Sequence, residues 1–479
     1  METEREPDSL NLLTAGAADL ARAIRGRDVT VTQVVETHIS RIEAVNPAIN
    51  AINMPMFESA RSEAEAADRR IADEGTDDLP PLFGVPVTIK DCWPVEGVRF
   101  TSGSWFHRDD IASGDAEVVK RFRGAGAIIL GKTNTPDMCW GFETVNPIFG
   151  RTINPRDPER SAGGSSGGEG AIIASGGSPL GVGSDIGGSV RNPAAVNGIV
   201  SLKPTAGRIP TDGHMPAANG PIHSWNNAGP LARRVEDLNL ALSVLSGQPL
   251  LEMPDIDGVR CVVNLRTGPF FASREVREAI LMAAGVLRSA GMEIERNDSL
   301  PIDRLGLLYT NLVRKHAMPD IERDLGGGTR YGFFRELARG FRGQAHISRE
   351  ALAVAAYIKA GGPLAALRGD DTFERLEEHK ARILDAIGEG VLLCPLLLTR
   401  PPKHGATWRP LTQITYATPF NATGLPAAIV PVSWTPEGLP LAVQVVARDG
   451  ADEMVLAVAS ALEKALGGWK LAEPTEGVK

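Results

Sequence analysis

Gly163-Gly164-Ser165-Ser166-Gly167-Gly168-Glu169-Gly170, followed by Gly181-Val182-Gly183-Ser184-Asp185-Ile186-Gly187-Gly188-Ser189-Val190-Arg191-Asn192-Pro193-Ala194, dominates this 479-residue chain. Glycine at this density lets backbone N–H groups converge on one point, because no Cβ blocks the turns or the close approach. A serine ending such a run presents its hydroxyl and the neighbouring amides together, which suits a nucleophile beside an oxyanion hole. Gly/Ser-rich stretches are ordinarily flexible linkers. Here, however, Ile172-Ile173-Ala174, Pro179-Leu180 and Val182 recur as a small-residue helix and a buried strand would place them. Nucleotide binding fits no better. The run does not end in Gly-Lys-Ser/Thr, and Ile186 stands where a dinucleotide fingerprint needs its third glycine.

Composition narrows the class. With 43% apolar and 23% charged residues the chain reads as an ordinary globular protein, and length alone would suggest two or three domains. A formal charge of −9 argues against a nucleic-acid partner. No apolar run is long enough to span a bilayer. The acidic start Met1-Glu2-Thr3-Glu4-Arg5-Glu6 lacks a signal-peptide core, so a cytoplasmic location is expected. The four cysteines, Cys92, Cys139, Cys261 and Cys394, form no C-x-x-C pair and read as reduced, buried packing residues. The eight histidines show no ligand spacing, so neither a metal nor a cofactor is expected.

Outward from the glycine runs, helices and strands alternate. Ala17 to Ile24 and Val31 to Ile42 have helical spacing, with Thr30 or Thr32 placed to cap the second. Phe83-Gly84-Val85-Pro86-Val87-Thr88-Ile89-Lys90-Asp91 reads as a strand ending in a lysine, and Ala127-Ile128-Ile129-Leu130 as another. Strands return at Val391–Leu398, Ala427–Val432 and Leu439–Val446, before a closing helix at Glu453–Leu466. The alternation predicts an α/β sheet covered on both faces. Because strands come from both halves, one domain over residues 1–479 is expected. Residues 305–388, which include Gly326-Gly327-Gly328 and Gly361-Gly362-Pro363, form a helical excursion that covers the sheet or serves as a lid.

The run from Gly163 to Ala194 resembles the signature of the amidase-signature hydrolases, and matching segments extend along nearly the whole chain. They include Leu82 to Asp91, Gly131-Lys132-Thr133-Asn134, Leu202 to Arg208, Gly229 to Arg233, Pro419 to Pro426 and Gly438 through Gln444. Alanines at 442 and 447 depart from the family's frequent glycines. The resemblance implies a single α/β domain with a large mixed twisted β-sheet flanked by helices on both faces. It implies Lys90 as base, Ser165, reached by a cis peptide, as bridging serine, and Ser189 as nucleophile. The oxyanion hole would come from the amides of Ile186, Gly187, Gly188 and Ser189. By the same resemblance Met138, Cys139, Trp140 and Gly141 line the acyl pocket, with Asp185, Arg191 and Ser166 in support.

The chemistry needs these residue types. A serine hydroxyl is a weak nucleophile until a base takes its proton. Lysine is that base only when neutral, and its ordinary pKa lies about three units above neutrality, a shift of roughly 4 kcal/mol. Burial against Val87 and Ile89 would favour the neutral amine. A charged, structural Lys90 paired with Asp91 or Asp185 is the competing expectation. The functions implied are hydrolysis of small amides, extending to esters and carbamates, or the glutaminase subunit of a tRNA-dependent amidotransferase. Ile209-Pro210-Thr211-Asp212-Gly213-His214-Met215-Pro216 lacks that subunit's aromatic, serine-rich continuation. Neither the substrate nor the oligomeric state is legible, and a homodimer is left open.

Overall fold

The computed structural model describes residues 10–267, 270–360, 372–406 and 414–474. Among them one sheet of 11 strands runs through the molecule. Its strands are β1 (Ile52–Pro55), β2 (Pro86–Lys90), β3 (Ile128–Thr133), β4 (Leu180–Asp185), β5 (Val200–Lys203) and β6 (Asn227–Ala232), then β7 (Arg260–Val263), β8 (Glu293–Arg296), β9 (Val391–Pro395), β10 (Ala427–Trp434) and β11 (Pro440–Val446). Their spatial order is β1-β3-β2-β4-β6-β5-β10-β11-β9-β7-β8. Strands β3, β2 and β4 are parallel, as are β9, β7 and β8, and antiparallel pairs join the two groups. Every residue of β2, β3, β4, β5, β6 and β9 is buried. Strands buried throughout require cover on both faces, which explains their continuous apolar runs.

Two short helices flank the serine runs. Helix α1 (Gly167–Ala174) is wholly buried because glycine and alanine let it lie close to its neighbours. A Cβ at Gly168 would stand 2.5 Å from the Asn134 amide nitrogen. Helix α2 (Arg191–Asn197) is also fully buried, and Gly198 ends it in the left-handed region at φ 74°. Of the expected helices, the one capped by Thr30 runs beyond residue 42, over Val31–Ile49. Pro47 falls in its last turn, where the chain turns off at Asn50 with φ 49°.

Residues 305–388 are largely helical as expected. They comprise most of α3 (Ile302–His316), α4 (Met318–Leu325), and helices Phe333–Phe341, Arg349–Ala360 and Phe373–Ile387. Gly361-Gly362-Pro363 lies outside the described residues.

Gly126-Ala127-Ile128-Ile129-Leu130-Gly131-Lys132-Thr133 has the spacing of a phosphate-binding loop. Its last six residues run instead as β3, buried at every position, with Lys132 Nζ 2.5 Å from Asp91 Oδ1. A strand in that state presents no amide cradle to a phosphate.

Glycine is required where strands pack closest. A Cβ on Gly229 of β6 would sit 2.4 Å from the Leu202 carbonyl oxygen of β5, a backbone atom with no room to yield. Gly229→Ala is expected to destabilise by about 1–3 kcal/mol. Gly285, inside helix Arg274–Ser289, would meet nothing within 4 Å. Gly285→Ala should therefore be neutral or stabilising by about 0.5–1 kcal/mol. Denaturant unfolding of both variants checks the pair; equal effects would contradict the packing described.

Candidate active site

Strand β2 delivers Lys90 to the sheet's interior, where it is fully buried. Its Nζ donates to Ser165 Oγ at 2.6 Å and to Ser184 Oγ at 2.8 Å. Neither carboxylate weighed as its partner is used: Asp91 takes Lys132 and the Thr101 hydroxyl, and Asp185 takes Arg191. The Gly164–Ser165 peptide is cis. Thr135 Oγ1 donates to the Ser165 carbonyl at 3.0 Å, and Thr144 Oγ1 to that of Gly163 at 2.9 Å. These side chains anchor the first serine run. The Ser166 N–H donates to the Ser189 carbonyl at 3.2 Å, which ties that run to the second.

The second run turns around a carboxylate. Asp185 ends β4, and its oxygens accept from the Gly188 amide at 2.6 Å, the Val190 amide at 3.2 Å and Arg191 Nε at 3.0 Å. Asn421 Nδ2 donates to Asp185 Oδ1 at 2.8 Å, and Arg191 Nη1 reaches Gln444 Oε1, also at 2.8 Å. Burial pushes the Asp185 pKa up, but the Arg191 guanidinium and these hydrogen bonds outweigh it and hold the carboxyl well below the usual range. With Gly188 directed inward, the amides of Ile186, Gly187 and Ser189 have no protein acceptor among the described residues. Tyr309 Oη, on α3, donates to the Ile186 carbonyl at 2.9 Å, and its ring stacks on Trp225 with centroids 5.2 Å apart.

Two adjoining cavities, the second slightly larger, share Cys139, Trp140 and Ile186 in their walls. The smaller is bounded by Met138, Ser165, Ser184, His214, Ile222 and Ile321. The larger is bounded by Gly141, Phe142, Gly187, Ser189, Tyr309 and Tyr357. All four residues expected from the resemblance to form a pocket, Met138 to Gly141, thus border these spaces. His214, Ile222 and Asn226 bring the loop after Arg208 into the wall.

Glu169 was quoted in the signature but given no role. It is fully buried on α1 and accepts from Thr88 Oγ1 at 2.5 Å and Thr133 Oγ1 at 3.0 Å. Burial pushes its pKa up to about 8. A carboxyl inside an apolar helix is the signal that could have drawn attention to it.

The Amidase family model matches residues 33–456, and the chain belongs to the amidase family, the amidase-signature hydrolases of amides. The chain is 35% identical to fatty-acid amide hydrolase 2 of Homo sapiens, over 96% of this chain and 90% of that protein. It is 31% identical to the acylamidase of Rhodococcus erythropolis, over 98% of each. Among solved structures it is similar to 6-aminohexanoate cyclic dimer hydrolase, with a TM-score of 0.76, 28% identity and coverage of 95% and 98%.

The raised Glu169 pKa has a signed consequence. Between about pH 4.5 and about 8 the unfolded chain releases this proton while the folded chain keeps it, so stability falls as pH rises. Glu169→Gln removes that loss. Its melting temperature relative to wild type should climb from pH 5 to 8, equivalent to at most about 1.4 kcal/mol per pH unit, and then level off. A pH-independent difference would contradict a buried neutral carboxyl.

Proposed function

We propose that this chain hydrolyses small amides through a seryl acyl-enzyme, with Ser189 as nucleophile, Ser165 as proton relay and Lys90 as base. The observation that carries this reading is the 2.6 Å contact from Lys90 Nζ to Ser165 Oγ, made by a buried lysine whose neighbouring carboxylates are engaged elsewhere. Its two hydrogen-bond partners are hydroxyls, one of them the bridging serine, which is the arrangement a serine-to-lysine proton relay requires.

In the reaction Ser165 takes the Ser189 proton as Ser189 Oγ attacks the carbonyl carbon, and passes its own to Lys90. The carbonyl oxygen becomes an oxyanion, to which the Ile186, Gly187 and Ser189 amides donate. Gly188, also expected among the donors, serves by bonding Asp185 and holding the turn. Preorganised backbone donors of this kind are typically worth about 10²–10³ in rate each. The proton then returns through Ser165 to the leaving nitrogen, and water repeats the sequence on the acyl-enzyme.

The larger cavity beside Ser189 is walled by apolar and aromatic side chains, including Phe142, Val354, Tyr357 and Ile358. This favours an apolar aryl or aliphatic acyl group, and the similarity to a fatty-acid amide hydrolase points the same way. Esters and carbamates need only a different leaving group or a carbamoyl intermediate, and are included. The chain acts as one catalytic domain whose 305–388 helices wall the entrance.

The test is hydrolysis of an acetanilide, a long-chain anilide, a p-nitrophenyl ester and an aryl carbamate by wild type and Ser189→Ala. Wild type is expected to turn over the apolar acyl substrates unaided, and Ser189→Ala to lose about 10⁴–10⁶ in kcat. Equal rates in both proteins, or a wild type inert toward all four, would overturn the assignment.

A further inference from the structure

Cys92, Cys139 and His214 come from three separate segments, yet their two sulfurs and a ring nitrogen all lie within 4.8 Å of one another. Cys92 follows β2 directly, two residues beyond Lys90. Cys139 closes a tight turn in which Met138 and Cys139 both have positive φ, at 47° and 61°. His214 lies in the loop that walls the smaller cavity. We propose that these three side chains form a binding site for a soft divalent metal ion, of the zinc or cadmium class, bordering the cavity.

The donor set is that of a thiolate-rich tetrahedral centre. In such a centre Zn–S is about 2.3 Å and Zn–N about 2.0–2.1 Å, so ligand atoms stand roughly 3.5–3.8 Å apart. Atoms within 4.8 Å of one another need a contraction of about 1 Å at most. The histidine is held ready. Its Nδ1 lies 2.7 Å from the Pro216 carbonyl, which fixes that nitrogen as the donor. Its Nε2, the lone-pair nitrogen in that tautomer, is buried and has the Cys139 thiol as its neighbour. A backbone carbonyl orienting a metal-binding imidazole is the usual outer-shell arrangement. Trp93 packs edge-on against the ring, centroids 4.7 Å apart, and restricts its rotation.

The thiols suit the role as well. Both are free and buried, and their sulfurs lie beside the imidazole. Binding M²⁺ forms two metal–sulfur bonds, releases whichever thiol protons remain, and forms one bond to imidazole. The two thiolate charges then balance the +2 of the ion, and two of the three ligands, Cys139 and His214, line the cavity.

Occupancy would reach the candidate active site by one hydrogen bond. Cys92 S–H donates to Ser184 Oγ at 3.4 Å, and that oxygen also accepts from Lys90 Nζ at 2.8 Å. A metal-bound thiolate no longer donates, so the Lys90 environment changes and amide hydrolysis should fall. This last consequence rests on the proposed function; the metal site does not.

The experiment titrates reduced, metal-stripped protein with Cd²⁺ and follows thiolate-to-metal charge-transfer absorption. One equivalent is expected to bind with that band. Cys92→Ser and Cys139→Ser should abolish it, and His214→Ala, in a loop position less buried than either cysteine, should weaken binding at least about tenfold. Ser189→Ala should bind like wild type, which separates failure of the metal site from failure of the hydrolytic assignment. Absence of the band in folded wild type, its survival in His214→Ala at unchanged affinity, or its loss only in Cys261→Ser or Cys394→Ser would overturn the proposal.

Discussion

The buried pair between Asp185 and Arg191 is the constraint on which the site's geometry depends. Both side chains are fully enclosed, and together they engage the backbone of the turn between β4 and α2. Such a pair contributes little net stability compared with well-packed apolar groups, whereas removing one partner typically costs about 3–5 kcal/mol. Its value here is geometric. Asp185 draws the Gly188, Val190 and Arg191 amides inward, and the same turn leaves Ile186, Gly187 and Ser189 directed elsewhere. Arg191 extends the clamp to Asn421, on the short helix Pro419–Ala422, and to Gln444 on β11, so C-terminal elements help hold a turn that lies more than two hundred residues earlier.

Lys90 sits at the opposite extreme. Where the arginine is saturated with carboxylate and amide acceptors, the lysine has two hydroxyls. This difference between two buried basic side chains is what the proposed division of labour rests on, a structural ion pair at Arg191 and a proton-transfer role at Lys90. The packing around them is tight enough to depend on missing side chains. A Cβ at Gly164 would stand 2.5 Å from the Gly141 carbonyl, and one at Gly183 the same distance from Ser166 Oγ. The glycine density that first drew attention to the chain is therefore a packing requirement between the two serine runs and the residues beside them.

Much of this was legible from local pattern. Strands β2 and β4 and helix α1 announce themselves because each is a continuous buried run bounded by glycine, proline or a polar end. Strand β8, Glu293–Arg296, gives no such signal: it lies at the sheet edge, and three of its four residues are charged and exposed. The partners of Arg191, the bond from Tyr309 to Ile186, and the Cys92–Cys139–His214 cluster were equally invisible. Each joins residues far apart in the chain, and spacing carries no record of where a fold brings such residues together. The phosphate-loop spacing at Gly126–Thr133 is the converse case, a local pattern that a buried strand annuls.

The central claim is that Lys90, acting through Ser165, activates Ser189. Its most direct test is the rate at which a fluorophosphonate modifies the protein, followed by intact-mass measurement and peptide mapping, in wild type and in Lys90→Ala. A single adduct on Ser189 is predicted, forming about 10²–10⁴-fold more slowly in a Lys90→Ala protein that remains folded. An adduct on another residue, or an undiminished rate without Lys90, would contradict the account.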